Sequence, residues 1–203
     1  MEEHFFAFIP DKPLYEFIMQ CKKSAFELAG EQLYLKDTPH LTVYLGHFND
    51  TAKLCTAVSK NVSVPKEHIA LAGWHTFFND PVTQKHTVVI QIAPKSIKAL
   101  QEIQMSLVLL ASEYRSLPCP KRYSQTNGLS KEMKISIEKY GFPFTGNIWF
   151  PHFSIASFSP DTYDIIKDML YKKQPPGETH MSCLVLYSIR NGAFEEIHRW
   201  EYN

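Results

Sequence analysis

Two short segments of this 203-residue chain repeat one pattern, and the repeat constrains the fold more than any other feature. Pro39–Val43 reads PHLTV and Pro151–Ile155 reads PHFSI, so each has a proline, a histidine, an apolar residue, a hydroxyl residue and a second apolar residue. Each stands at the start of a predicted strand, about half a chain length apart. A chain of this length can form one domain with a substantial core or two small pseudo-repeated lobes that share a core.

Strand geometry predicts that each histidine shares a face with the hydroxyl residue two positions later. Side chains i and i+2 of a strand point to the same side, whereas the residues between them point to the other. We therefore expect His40 and Thr42 to point one way while the apolar residues of their segment are buried behind them. His152 and Ser154 repeat this arrangement in the second segment.

Such a pair of histidines suits phosphodiester cleavage. The reaction needs a base to deprotonate the attacking oxygen and an acid to protonate the leaving oxygen, and an imidazole with a pKa near 6.5 can do either. Hydroxyl groups beside the histidines can donate hydrogen bonds to the non-bridging phosphate oxygens. We therefore expect His40, Thr42, His152 and Ser154 to be the catalytic residues, with no metal and no other cofactor.

The sequence gives less support to a catalytic role for the other histidines, or to other catalytic motifs, than to this interpretation. His180 opens a third His-x-Ser pattern, but it lacks the preceding proline and reads as the start of an ordinary strand. His75 and His86 each have a threonine as the next residue, which a strand places on the opposite face. The sequence contains no H-E-x-x-H metal spacing, no G-x-S-x-G elbow, no phosphate-binding P-loop and no G-x-G-x-x-G fingerprint.

Hydrophobic periodicity predicts alternating strands and helices. The predicted strands cover His4–Ile9, Leu41–His47, Glu67–Phe78, His86–Ile92, Phe153–Phe158, Leu184–Ile189 and Phe194–Tyr202. The first predicted helix ends at Gly30, and the second begins at a cap at Asn49 or Asp50. The third spans about Pro94–Tyr114, the fourth lies near Ser130–Lys139, and the fifth begins at Ser159-Pro160. Because the elements lack a regular β-α-β repeat, an α+β fold with antiparallel sheets is expected.

The segment Ser116–Asn147 is rich in proline and glycine, and we expect it to form a long excursion that covers the site. Arg122 and Tyr123 in this segment could reach a substrate phosphate or could lie in a solvated loop. Tyr44 shares strand parity with His40 and could line the cleft and stack on a base, or it could be ordinary packing.

The composition indicates which kind of substrate and which cellular compartment to expect. Lys plus Arg equals Asp plus Glu, at 21 each, so the chain lacks the basic excess typical of proteins that hold long nucleic acids. A small or terminal phosphate substrate therefore fits this charge balance better than a nucleic-acid duplex. The four cysteines form no C-x-x-C pair and no secretory segment is visible, which favours a cytoplasmic location. No apolar run approaches the roughly 20 residues that span a bilayer, and we expect a monomer without membrane contact.

The paired motifs resemble the signature of the 2H phosphoesterase superfamily, which includes bacterial 2'-5' RNA ligase-like proteins and cyclic phosphodiesterases. The resemblance extends over nearly the whole chain. His4–Pro10 is similar to the opening strand of the family, and Leu186–Trp200 is similar to its closing hairpin. Tyr140–Phe144 resembles a bacterial subgroup with a long insertion. Ser154 departs mildly from the pattern, because threonine is commoner there.

The resemblance implies one bilobal domain over residues 1–203, with two antiparallel sheets, pseudo-twofold symmetry, flanking helices and an insertion at about 116–147. Both motifs would lie in one cleft. The implied activity is metal-independent hydrolysis of 2',3'-cyclic or 2'-5' phosphodiester bonds in RNA ends or small nucleotides, with His40 as acid and His152 as base. The alternatives are an RNA 2'-5' ligase, a non-catalytic nucleotide-binding domain on this fold, and an interaction module in which the repeat is a coincidence.

Overall fold

The computed structural model describes residues 2–62, 68–116, 119–120, 123 and 128–201. The strands are β1 Glu3–Pro10, β2 Leu41–Gly46, β3 Ile69–Phe77, β4 His86–Ile92, β5 His152–Phe158, β6 Glu178–Thr179, β7 Met181–Arg190 and β8 Ala193–Glu201. The helices are α1 Lys12–Ala29, α2 Thr51–Asn61, α3 Pro94–Ser112, α4 Lys131–Tyr140 and α5 Pro160–Tyr171, with a short 3-10 helix at Gly146–Ile148. Each predicted strand and helix has a counterpart here, whereas the two-residue β6 and the short 3-10 helix were not predicted.

The described strands form two four-stranded sheets, in the orders β2-β1-β7-β8 and β5-β4-β3-β6. Every pairing within them is antiparallel, which confirms the predicted α+β fold with two antiparallel sheets. β2 and β5 are edge strands of their respective sheets, and they contact each other. The two sheets therefore meet at the strands that carry the repeated motifs.

Local capping explains where the helices begin. The Asp11 side chain accepts a hydrogen bond from the third amide of α1, and Ser159 caps α5 in the same way ahead of Pro160. The cap of α2 is Asp50 rather than Asn49, because the Asp50 carboxylate accepts the amide hydrogen of Lys53 at 3.0 Å. These bonds satisfy backbone amides that a helix leaves without an internal partner.

The core cluster of buried apolar residues includes residues of both sheets and of the helices packed on them. β1 is buried from His4 to Pro10, because β2 and β7 flank it on both sides. α1 packs on β1, β5 and α5, whereas α3 packs on β2, β3 and α2. Within the described residues, no helix is long and apolar enough to cross a membrane.

The described part of the 116–147 segment folds against α3. The predicted short helix is present as α4, which Ser130 caps and Gly141 ends in a left-handed conformation. The Ser136 hydroxyl donates to the Phe142 carbonyl at 2.7 Å, and Gln104 of α3 donates to the Phe144 carbonyl at 2.7 Å. These contacts anchor the end of the segment. That the segment covers the site stays a prediction.

Candidate active site

The two motif segments have matching geometry. His40 immediately precedes β2, and His152 is the first residue of β5. In both segments the histidine and the hydroxyl residue are half-buried, whereas the apolar residues of the motif are buried. His40 and Thr42 thus lie on one face, as do His152 and Ser154, and the alternation follows the predicted strand pattern.

A β-bulge follows the hydroxyl residue of the first motif. Thr42 pairs with Ala7 of β1, and Tyr44 pairs with Phe6, so Val43 is an extra residue without a partner in the register. Because Ala7 and Phe6 are neighbours in β1, they point to opposite faces. Thr42 and Tyr44 therefore point to opposite faces as well.

The second motif has its bulge at the same place. Ser154 pairs with Val89 of β4, and Ala156 pairs with Val88, so Ile155 is the extra residue. Bulges kink a strand and re-aim its side chains, and they occur often beside active sites. The repeated motif is therefore a repeated backbone shape, in which the strand bends directly after the histidine and hydroxyl.

The two imidazoles are held by the same contact. Nδ1 of His40 lies 2.7 Å from the carbonyl oxygen of Thr38, and Nδ1 of His152 lies 2.7 Å from the carbonyl oxygen of Phe150. A carbonyl oxygen can only accept, so Nδ1 carries the hydrogen in both rings. Each neutral imidazole therefore keeps the lone pair of Nε2 for a substrate proton.

The surroundings of His40 favour its neutral form. The ring lies against Phe5 and Phe194, with centroid distances of 5.3 and 5.5 Å. Desolvation by these and other protein atoms lowers the pKa of His40 to about 4, against a smaller upward effect of the carbonyl hydrogen bond. The positive charges of Lys22 and His152 lower this pKa further. The two motif histidines are thus close enough to influence each other electrostatically.

His152 has a different balance of charges. Its ring contacts Phe77 at 5.1 Å and Phe150 at 6.2 Å between centroids. Desolvation lowers the pKa of His152, while the carbonyl hydrogen bond and the carboxylate of Asp80 raise it and His75 lowers it. A nearby carboxylate stabilises the imidazolium. His152 therefore has a negatively charged neighbour, whereas His40 has a buried ammonium.

His75 is a third histidine at the site, and sequence reasoning missed it. His75 of β3 pairs with Val89 of β4, which pairs with Ser154 of β5, so the three residues form a row on one face of the sheet. The His75 ring packs on Phe77 at 4.8 Å and on Phe150 at 5.3 Å. Comparison of His75 with its own neighbour in the chain could not reveal this row, because the row depends on the pairing of distant strands.

Tyr44 and Tyr123, which were considered for substrate binding, are buried in the core. The bulge reverses the parity expected for Tyr44, which is 0 % exposed and donates a 2.6 Å hydrogen bond to the carbonyl of Tyr140. Tyr123 is buried against Phe142 and Phe144. Tyr44 is therefore a packed core residue, and Tyr123 is buried rather than part of a solvated loop. Arg122 lies outside the described residues.

Side chains outside the motifs support the bulged edge of β2. Trp149 Nε1 donates a 3.1 Å hydrogen bond to the carbonyl of Thr42, and Gln104 Nε2 donates one of 3.1 Å to the carbonyl of Val43. A bulge interrupts the strand ladder and leaves backbone groups in need of partners. These two side chains supply them, and they thereby fix the strand that carries Thr42.

The third His-x-Ser segment lacks the geometry of the two motifs. The ring of His180 packs on His68 at a centroid distance of 3.8 Å, and its backbone amide donates to the Asp11 carboxylate. The Ser182 hydroxyl donates to the carbonyl of Ile9, so it is engaged with the backbone. In the part of the chain that the structure describes, no group of three or more His, Cys, Asp or Glu side chains is arranged to hold a metal ion.

Comparison with known proteins shows a similar fold in solved structures. Neither a protein-family model nor a curated protein sequence matches the chain. The crystal structure of E. coli LigT in its apo form has a TM-score of 0.56 at 16% identity, covering 98% of this chain and 96% of that one. A crystal structure described as a phosphoesterase gives 0.55 at 15% identity, covering 98% and 97%.

Another LigT structure, a complex with 3'-AMP, gives a TM-score of 0.54 at 15% identity and covers 98% of this chain and 97% of that one. At such identities the likeness establishes the fold alone. It extends over 98% of the chain, and it confirms the fold with two antiparallel sheets that the resemblance to the 2H phosphoesterase superfamily implied.

Proposed function

We propose that this chain is a metal-independent phosphodiesterase of the 2H phosphoesterase superfamily, which hydrolyses 2',3'-cyclic or 2'-5' phosphodiester bonds in RNA ends or small nucleotides. One observation carries the proposal. Two imidazoles, at the starts of two adjoining edge strands, are anchored through Nδ1 to the carbonyl two residues earlier, and each shares its face with a hydroxyl. LigT, which has this fold, has been crystallised with 3'-AMP, ATP, NADP+ and phosphate, which supports a nucleotide substrate.

The charges around the histidines favour His40 as the base and His152 as the acid. A base must be neutral before the reaction, and the pKa of His40 is lowered to about 4 by desolvation, with Lys22 adding to the effect. An acid must be protonated. Desolvation lowers the pKa of His152, but the carbonyl hydrogen bond and the carboxylate of Asp80 act in the opposite direction and favour its imidazolium. This assignment reverses the one that the family resemblance implied.

Hydrolysis of a 2',3'-cyclic phosphate then proceeds by one displacement at phosphorus. Nε2 of His40 takes a proton from water as the water oxygen bonds to phosphorus. The bond between phosphorus and O3' breaks, and Nε2–H of His152 gives its proton to O3'. The products are a 2'-phosphate and a 3'-hydroxyl, and solvent returns each histidine to its starting state.

Thr42 and Ser154 stabilise the phosphate during this step. Both hydroxyls lie on the same faces as the histidines and can donate to the non-bridging oxygens, where negative charge grows as the water attacks. The two proton transfers and the charge stabilisation are thus assigned to side chains. Turnover should therefore survive the addition of EDTA.

The aromatic surface beside His152 is suited to hold a nucleobase. Phe150 is 37 % exposed, and its ring lies next to the imidazole of His152. Its ring adjoins those of His75 and Phe77. Bases stack on aromatic rings with little dependence on sequence. We assign base binding to Phe150, with the half-buried His75 at its edge.

Purified protein with EDTA should be assayed against 2',3'-cyclic nucleotides, 2'-5' oligonucleotides and RNA ends. Release of a 2'-phosphate from a cyclic nucleotide, or cleavage of a 2'-5' linkage, is the expected result. Joining of RNA ends without hydrolysis would instead identify a ligase, which uses the same proton transfers in reverse. Nucleotide binding without any turnover would identify a non-catalytic domain and overturn the proposal.

A further inference from the structure

Lys22 is a buried cation on α1, outside both motifs. Its side chain is 3 % exposed, although lysine is almost never fully buried unless it is paired. An ammonium in the interior costs free energy unless hydrogen bonds compensate it. Desolvation lowers the pKa of Lys22 to about 8, so the group is still mostly charged at neutral pH. A cation kept in such a place needs a structural or functional reason.

The ammonium holds the segment that leads into the first motif. Lys22 Nζ donates to the carbonyl of Tyr34 at 2.6 Å and to the carbonyl of Asp37 at 2.7 Å. Tyr34 has a φ of 72°, a left-handed conformation that is uncommon for a residue other than glycine. Three residues after Asp37 comes His40, whose ring is anchored on the carbonyl of Thr38. The lysine therefore fixes the backbone that positions this imidazole.

The same segment is attached to the strand of the second motif. The amide of Ser157 in β5 donates to the carbonyl of Leu33 at 3.1 Å, and the two residues form an isolated β-bridge. β5 begins with His152. The segment thus runs from a contact on the strand of His152 to His40 itself, and the two carbonyls that Lys22 binds lie between these points.

We infer that Lys22 is a positioning residue of the proposed phosphodiesterase site, which holds His40 at a fixed place relative to His152. The inference rests on the proposed function. It assigns Lys22 no contact with substrate, because the ammonium is buried and engaged with two backbone carbonyls. Lys22 acts through the backbone by its hydrogen bonds and through space by its charge.

The electrostatic effect of Lys22 on His40 involves few charged groups. Among the described residues, Asp37 raises the pKa of Lys22, and the positive charges of Lys22 and His152 lower the pKa of His40. Removal of the Lys22 charge should therefore raise the pKa of His40, although desolvation of the ring would keep it below 6.5. The pKa of His152 should not change, since its charged neighbours are Asp80 and His75.

The test compares Lys22→Met with Lys23→Met. Lys23 is the next residue of the same helix, its side chain is 78% exposed, and its Nζ lies 3.9 Å from a carboxylate oxygen of Glu27. Imidazole nitrogen NMR titrations of the two variants and the wild type report the pKa values of His40 and His152 without any substrate. Steady-state kinetics on a cyclic nucleotide then separate kcat from KM.

For Lys22→Met we expect a raised pKa of His40, an unchanged pKa of His152, and a kcat lower by about 10- to 100-fold, as small misplacements of catalytic groups produce. KM should change little. Lys23→Met should behave as the wild type, and Lys22→Arg should restore part of kcat because it keeps the charge. A Lys22→Met protein that is folded, with unchanged kcat and unchanged His40 titration, would overturn the inference.

A second variant covers the case in which Lys22→Met does not fold. Lys22→Gln keeps a hydrogen-bond donor but removes the charge. It should raise the pKa of His40 and lower kcat less than Lys22→Met does. An unaltered His40 titration in this variant, when folded, would also overturn the inference. If the wild type turned over no phosphodiester at all, the proposed function would fail, while the histidine titrations would still decide whether Lys22 controls His40.

Discussion

His40 and His152 each bind, through Nδ1, the backbone carbonyl oxygen two residues before them, and the distance is 2.7 Å in both cases. The contact fixes the tautomer and the ring direction without a side-chain carboxylate. In many catalytic pairs a third polar side chain orients the base. Here the backbone of each motif performs this task, because the chain before each strand brings the carbonyl to the ring.

Replacement of either motif histidine should remove most of the activity. His40→Ala and His152→Ala should each lower kcat by roughly 10²–10⁴-fold, the usual contribution of a positioned proton-transfer group. The double variant should be far less than multiplicatively worse, since groups that act as a unit are not additive. Steady-state rates with the preferred cyclic nucleotide measure this.

His180→Ala is the matched control for these variants, because His180 shares the local pattern but not the carbonyl anchor. Its rate should equal that of the wild type. All variants should give wild-type circular dichroism spectra, since the imidazoles of His40 and His152 are half-buried and do not form the core. If His180→Ala were as damaging as His152→Ala in a folded protein, the wrong histidines would have been paired.

The pH dependence should place the optimum of kcat/KM on the acid side of neutrality. His40 must lose its proton to act as base, so the rate rises as pH passes upward through about 4. His152 must keep its proton to act as acid, so the rate falls as pH rises through its pKa, which lies below 6.5. Since kcat/KM reports the free enzyme, the falling arm of the bell should lie on the acid side of the ordinary imidazole pKa of 6.5. A kcat/KM that still rises above pH 7 would contradict the assignment.

Sequence patterning predicted the elements well, because the relevant signals are local. The prolines and caps at Ser159 and Gly30 mark helix ends within a few residues. The in–out alternation of the motifs is local as well. What could not be predicted is register. The extra residue Val43, which turns Tyr44 into the core, arises only where β2 meets β1.

The unpredicted parts of the site have the same origin. His75 joins Ser154 through two strand pairings, and Lys22 approaches His40 through a loop that closes back on its own helix. The spacing of residues in the sequence predicts neither relationship, since both depend on contacts between distant parts of the chain. Sequence reasoning therefore reached the paired motifs but missed His75 and Lys22 beside them.

The motif hydroxyls should contribute to kcat more than to binding. Thr42→Val and Ser154→Ala each remove one donor for the phosphate oxygens, and loss of such a donor typically costs about 10²–10³-fold in kcat. Ser182→Ala is the control from the third His-x-Ser segment, whose hydroxyl donates to backbone carbonyls instead. The prediction is contradicted if Thr42→Val or Ser154→Ala raises KM alone.

Phe150 should control affinity for the nucleobase. Phe150→Ala should raise KM by roughly 5- to 150-fold, because base stacking on an aromatic ring contributes about 1–3 kcal/mol. The effect should vanish with a cyclic phosphate that carries no base. Phe78→Ala is the control, since Phe78 is 62 % exposed but packs on His86 and Tyr163. Equal effects of the two variants would refute a stacking role for Phe150.

Tyr44 tests whether the bulge has been interpreted correctly. Its hydroxyl donates a 2.6 Å hydrogen bond to the carbonyl of Tyr140, at the end of α4, and its ring is buried against Phe48 and Phe142. Tyr44→Phe keeps the ring but leaves a carbonyl without this partner, which typically costs about 1–3 kcal/mol. We expect a lower midpoint in urea unfolding with an unchanged slope.

The same variant should leave kcat and KM for every nucleotide as they are in the wild type, because the bulge at Val43 turns Tyr44 away from the face of Thr42. Thr42→Val provides the opposite case on the same strand, with a loss of kcat and little loss of stability. Because the two residues are only two positions apart, a straight strand would put both on one face and both would affect the reaction. If Tyr44→Phe changed kcat or KM while the protein stayed folded, Tyr44 would face the site, and the bulge would not set the direction of side chains in β2.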